Sequence, residues 1–152
     1  MAQKEEMSRT TPVGWFHYAA SYAISARALV TGAVEATHPD APIRHLYRHA
    51  VELYLKAFLL HAGVSVKELK QNYGHNTERL VEDAIKQGLL VSEEQRLQIA
   101  FCNDPLPDRY LETGVRAVLT EETLAALCRH LNTVIGSEIY TAAGLTRRLP
   151  HI

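Results

Sequence analysis

The sequence contains only two cysteines among its 152 residues, Cys102 and Cys128. Each lies among apolar residues, which favours two reduced core thiols in a cytoplasmic protein over a disulfide. No apolar run approaches the roughly 18 residues that a membrane helix needs, and the polar segment Met1 to Thr11 is unlike a signal peptide. We therefore expect a cytoplasmic protein that does not span a membrane.

The sequence also lacks an excess of either charge. Sixteen Lys and Arg residues against seventeen Asp and Glu residues give a formal net charge of −1. A polyanionic partner would therefore need a local basic patch, because the overall charge does not attract one. Neither a P-loop nor a G-x-G-x-x-G segment after a strand is present, and neither cysteine has neighbours that suggest an activated nucleophile. The sequence predicts no cofactor.

Helical patterns dominate what is present. The composition, 47% hydrophobic and 22% charged, is that of a globular chain, and the length suits one domain. Pro12 can open a first helix, in which apolar residues recur at steps of three and four. This predicted seam consists of Trp15, Ala19, Tyr22, Ala26, Leu29 and Ala33.

Capping signals predict where the later helices begin and end. A second helix is expected from Pro42 or Ile43, with Gly63 as its left-handed C-terminal cap. Further helix starts are indicated at Ser65, at Asn76 or Thr77, at Ser92 with Gln95, and at Thr120. No strand pattern is evident. The prediction is an all-α, up-and-down bundle of about five helices over residues 12–143, between a flexible leader (1–11) and a flexible tail (144–152).

One stretch resembles the centre of HEPN domains. It reads HAVELYLKAFLL from His49 to Leu60, followed by Gly63 and by Gly74-His75-Asn76. In HEPN domains a helix of the form A-x-E-x-x-L-K-A-x-L precedes a G-H-[DN]-L start of the next helix. Arg109-Tyr110 is similar to the R-Y-P segment of members without a catalytic motif. The resemblance implies an HEPN-like bundle, a homodimer, and an RNA-binding module or a metal-independent ribonuclease.

The ribonuclease hypothesis depends on Arg44 and His49. HEPN ribonucleases are similar in having an Arg, often followed by a polar residue, then four to six residues and a His. Such an imidazole can transfer the proton of a ribose 2′-hydroxyl while the guanidinium holds the phosphate. Here the pair opens the second helix rather than following the second hairpin, and a spacing of five sets the residues about 140° apart. A dimer could bring them together; the alternative is a solvated or dimer-facing helix start.

One face of the second helix fits either a zinc site or an ion pair. His45, His49 and Glu52 share one face and could in principle ligate zinc. However, the H-E-x-x-H pattern is absent, and Arg48 and Lys56 are spaced to pair with Glu52. We therefore predict ion pairing and no metal. Before the next helix start, His75 could meet a ligand, but a structural role is favoured, either as a cap of backbone amides or in a hydrogen bond from the loop to the core.

The leading interpretation is a homodimeric binding or regulatory module that contacts RNA or a nucleotide. A basic helix start would meet phosphates, and a tyrosine could stack on a base. The expected ligand-binding residues are Arg48, Lys56, His75, Arg109 and Tyr110. Two alternatives stay open: a metal-independent endoribonuclease using Arg44 and His49, and a protein-interaction scaffold using the aromatic residues of the first helix, Trp15, Tyr18 and Tyr22.

Overall fold

The computed structural model of the chain describes residues 10–103 and 119–152. Within these ranges the chain forms six α-helices and no strand, and a π-helical turn, Leu69–Tyr73, continues the third helix. The predicted all-α class is confirmed. None of these helices is both long and apolar enough to cross a membrane. The helices are α1 (Pro12–Thr31), α2 (Asp40–His61), α3 (Val66–Glu68), α4 (Thr77–Lys86), α5 (Glu93–Phe101) and α6 (Glu121–Ala142).

Side-chain caps begin most of the helices at the predicted residues. Ser65 and Ser92 form capping boxes with Glu68 and Gln95, and single caps begin α1, α4 and α6 at Thr11, Asn76 and Thr120. Helix α2 begins at Asp40, slightly before the predicted start. Pro42 is tolerated there because the first-turn amides of a helix have no intrahelical acceptor. Gly63 has the predicted positive φ, 105°.

The long helices α1, α2 and α6 enclose the core. Helices α1 and α2 are antiparallel, since Phe16 contacts Tyr54 and Tyr22 contacts His49. Helix α6 runs in the same direction as α2: Cys128 lies against the Tyr47 carbonyl, and Asn132 accepts from the Tyr54 hydroxyl at 2.9 Å. Helix α4 packs on α2, and α5 packs on α4. The side of α2 that carries His49 and Glu52 lies between α1 and the start of α4, since His49 contacts Tyr22 and Glu52 contacts His75.

The buried side of α1 contains Phe16, where the predicted seam has Trp15. Ala19 and Ala26 are buried as expected, but Phe16 is fully buried while Trp15 is only half-buried. Ala33 is exposed beyond the helix end, with φ 47°. The small residues let α1 lie close to its neighbours, and the Phe16 ring fills the space between α1, α2 and α6.

The two cysteines are free and buried, as predicted for core thiols. The Cys128 thiol donates to the Tyr47 carbonyl at 3.6 Å. Burial raises the pKa of Cys102 to about 12 and raises that of Cys128 as well. Both thiols therefore stay protonated near neutral pH, which gives neither the character of a nucleophile.

The C-terminal segment 144–152 packs against the bundle, unlike the flexible tail that was expected. The Asn132 side-chain amide donates to the Pro150 carbonyl at 3.0 Å, and Arg27 donates to the His151 carbonyl at 3.4 Å. Apolar side chains of the segment pack on the core: Leu145, Leu149 and Ile152. The segment is ordered by this apolar contact, together with the buried amide that its backbone satisfies.

The close approach of Phe16 and the C-terminal segment leads to a stability prediction at Gly136. A Cβ atom built there would lie 2.5 Å from Phe16 Cζ and 2.8 Å from Leu149 Cδ2. We expect Gly136→Ala to lower the free energy of unfolding by about 1 to 3 kcal/mol through overpacking, although alanine in a helix interior normally adds about 1 kcal/mol. Urea denaturation measures the change. Ser137→Ala, at the next and exposed position, is the matched control, and an unchanged or raised stability of Gly136→Ala would contradict the packing.

Candidate functional site

The side of α2 between α1 and the start of α4 carries a buried carboxylate, Glu52. The Glu52 side chain is only 9% exposed, and its Oε1 accepts from Lys56 Nζ at 2.7 Å. His75 Nδ1 lies 2.9 Å from Oε1 and 3.1 Å from Oε2. A carboxylate removed from water needs such partners, because burying an unpaired charge costs several kcal/mol. The predicted pair of Glu52 with Lys56 is confirmed. His75 makes the hydrogen bond to the core that was one of its two predicted structural roles, although the sequence did not identify Glu52 as the partner.

The loop before α4 positions His75. The π-helical turn ends at Gly74, whose φ of 54° suits a residue without a Cβ. The Tyr73 hydroxyl donates to Asp83 Oδ2 at 2.8 Å, which ties the turn to α4. Asn76 then caps α4 by accepting from the Arg79 amide at 3.0 Å. Since Asn76 supplies the cap, the His75 side chain is available for Glu52.

The contact with Glu52 determines which His75 nitrogen faces outward. An ionised carboxylate only accepts hydrogen bonds, so Nδ1 must carry the proton that lies between the two residues. Nε2 is then left for solvent or a ligand, and the side chain is 86% exposed. A carboxylate that orients an imidazole in this way is a common arrangement in sites that bind metals or transfer protons.

Two further histidines lie on the same side of α2. The rings of His45 and His49 are parallel, with centroids 6.4 Å apart, and the His49 ring meets Tyr22 edge-on at 4.4 Å. Burial lowers the pKa of His49 from its ordinary value of 6.5, although the nearby Glu52 carboxylate opposes this shift. His45 is exposed. We call His45, His49 and His75 the histidine surface.

The two arginines of α2 point away from this surface. Arg44 NH1 lies 3.9 Å from Asp40 Oδ2 in the preceding turn. Arg48 is half-buried and near Cys102 at the end of α5, where its charge opposes the rise in the thiol's pKa. Within one chain, Arg44 is therefore not brought to His49, as the spacing of five residues predicts.

Of the predicted ligand-binding residues, the structure brings Lys56 and His75 together with His49, and it places Arg48 elsewhere. Arg109 and Tyr110 lie outside the described residues. Within residues 10–103 and 119–152, no three His, Cys, Asp or Glu side chains are grouped so that they could hold a metal ion. At Glu52, the Lys56 ammonium lies where a cation would compete for the same oxygen.

Comparison of the chain with family models, curated proteins and solved structures gave no match. The resemblance to HEPN domains therefore rests on the residues quoted above.

The burial of His49 predicts how stability depends on pH. The folded pKa of His49 lies below its unfolded value, 6.5, so the unfolded chain takes up a proton first as the pH falls. The contribution of His49 to stability is therefore complete above about pH 6.5 and decreases as the pH falls below that value. Burial also lowers the pKa of His17, which acts in the same direction. We expect an NMR titration to place the pKa of His49 below 6.5, and urea denaturation to show lower stability at about pH 5.5 than at about pH 7.5.

Removing the ring that covers His49 provides the control for this prediction. Tyr22→Ala should raise the pKa of His49 towards 6.5, because water reaches the imidazole. Tyr18→Ala, on an exposed side chain one turn earlier, should leave it unchanged. A His49 pKa at or above 6.5 in the unsubstituted protein would contradict the burial of this ring.

Proposed function

We propose that the chain is a binding module for RNA, and that the phosphates of the RNA contact the histidine surface. The observation that carries this proposal is that His49 of α2 and His75, from a loop more than twenty residues later, lie near one buried carboxylate, with His45 next to His49 on the same side of α2. Imidazole N–H groups donate to phosphate oxygens, and they gain a charge when protonated. The homodimer and the cytoplasmic location remain predictions.

The Glu52–Lys56 pair supports an anion at this surface. An exposed carboxylate among the histidines would repel phosphate, but Glu52 is almost buried and its charge is matched by Lys56 at 2.7 Å. Among the described residues, the His75 imidazole stays exposed at this surface, with Nε2 directed outward. The pair thus orients the exposed histidine without presenting a negative charge to the ligand.

The arrangement of Arg44 favours binding over cleavage. A ribonuclease site needs a guanidinium at the phosphate on which the imidazole acts, whereas Arg44 lies against Asp40 and His49 lies against Tyr22. His49, with its lowered pKa, is still suited to accept a proton. Cleavage is therefore measured alongside binding.

The test is fluorescence anisotropy with a labelled single-stranded RNA of about 12 nucleotides, within the size range that single-strand-binding domains cover. We expect binding that weakens with added salt, because phosphate contacts release counterions. His75→Ala should weaken binding about fivefold, the value of one hydrogen bond of about 1 kcal/mol. The control is His151→Ala, which removes an exposed imidazole from the C-terminal segment and should leave the affinity unchanged.

The same samples, incubated in EDTA and run on a denaturing gel, decide between the alternatives. Intact RNA together with a loss of affinity in His75→Ala supports the binding module. Cleavage that disappears in both His49→Ala and Arg44→Ala, with circular dichroism unchanged, would replace it with a metal-independent ribonuclease. No RNA binding at all would overturn the proposal and leave the protein-interaction scaffold.

A further inference from the structure

A groove runs along the outer side of α1, next to the histidine surface. Its volume is about 480 Å³, within the range of about 300 to 1,000 Å³ that is usual for small-molecule sites. Seven residues line it: Gly14, His17, Tyr18, Ser21, Tyr22 and Ser25 of α1, and Leu46 of α2. We call it the α1 groove. We propose that the α1 groove receives unpaired bases of a single-stranded RNA whose phosphates contact the histidine surface, an inference that rests on the function proposed above.

The lining of the α1 groove suits a nucleobase. Tyr18 is 65% exposed, so its ring face is open to a planar partner, and Leu46 adds apolar surface. Stacking on an aromatic ring tolerates every base, because each base has a π-face. The Ser21 hydroxyl donates to the His17 carbonyl at 2.8 Å, so its oxygen can accept from the edge of a base.

Among the described residues, the groove lining contains no Asp, Glu, Lys or Arg. Its one titratable imidazole, His17, is hydrogen-bonded to the Tyr140 hydroxyl at 2.7 Å, and burial lowers its pKa. The groove is therefore uncharged near neutral pH, as the π-faces of bases are, while the groups that can meet phosphate lie beside it. A peptide ligand with a charged side chain would find no partner among these residues.

Tyr22 makes the two surfaces continuous. Its side chain lines the α1 groove, and its ring lies edge-on to His49 with centroids 4.4 Å apart. On α2, Leu46 of the groove directly follows His45 of the histidine surface. A nucleotide lying across this boundary places its base against tyrosine and its phosphate near imidazole. Bases in a duplex are stacked and paired, so they cannot enter the groove, and the arrangement selects single strands.

The experiment distinguishes contacts to the bases from contacts to the phosphates. The labelled single-stranded RNA is bound to the protein, and inorganic polyphosphate and the duplex form of the same RNA serve as competitors. We expect Tyr18→Ala to weaken single-strand binding about tenfold, since stacking contributes about that factor per base, and to leave binding of polyphosphate unchanged. Tyr18→Phe should bind RNA like the unsubstituted protein, because the ring remains. Val30→Ala, which trims another exposed apolar residue of α1 outside the groove, is the control.

Each outcome decides one of the two proposals. If RNA and polyphosphate both bind and Tyr18→Ala changes neither affinity, the bases do not use the groove and the histidine surface stands alone. If the duplex competes as strongly as the single strand, the groove proposal is overturned in the same way. An equal loss of RNA binding and polyphosphate binding in Tyr18→Ala also overturns it. If neither RNA nor polyphosphate binds, the proposed function itself fails.

Discussion

The structure of the candidate site depends on one buried carboxylate. Glu52 lies on α2 with 9% of its side chain exposed, and a charge in that position is stable only while donors surround it. Lys56 supplies a charge from the same helix, and His75 supplies a hydrogen bond from a separate segment. Because the second partner comes from the loop before α4, satisfying Glu52 also fixes where that loop lies. The same contact brings an exposed imidazole near His49.

A second buried polar side chain, Asn132, has a comparable role where α2 meets α6. The Asn132 side chain accepts from the Tyr54 hydroxyl and donates to the Pro150 carbonyl, so it joins α2, α6 and the C-terminal segment. Among the described residues, no buried side-chain nitrogen or oxygen lacks a hydrogen-bond partner. Polar groups satisfied in this way specify one arrangement of helices more narrowly than apolar packing alone does.

Local signals in the sequence predicted the helices well because caps act over three or four residues. Ser92 with Gln95 and Asn76 before Thr77 begin helices where expected, since each satisfies amides of its own first turn. The π-helical turn and the docked C-terminal segment were not predicted, because both depend on distant partners. Leu149, for example, packs beside Gly136, and no periodicity within 144–152 indicates that contact.

The candidate site was predicted in part for the same reason. The Glu52–Lys56 pair is a helical i, i+4 spacing and can be found from the sequence. The contact of His75 with Glu52 spans 23 residues; the position of His75 before a helix start indicates a hydrogen bond to the core, but it does not indicate the partner. Tyr22 was assigned to an aromatic face without any indication that its ring meets His49. That contact depends on how α1 packs on α2, which spacing within either helix does not determine.

The most direct test of the account is to observe the histidine rings while RNA binds. Long-range ¹⁵N–¹H spectra of the imidazoles, assigned with single His→Ala variants, would be recorded during titration with the single-stranded RNA. The account predicts that the signals of His45, His49 and His75 move together with one dissociation constant, while those of His38 and His151 stay in place. Signals that move only outside the histidine surface, or not at all, would contradict the claim that Glu52 assembles an RNA-binding surface.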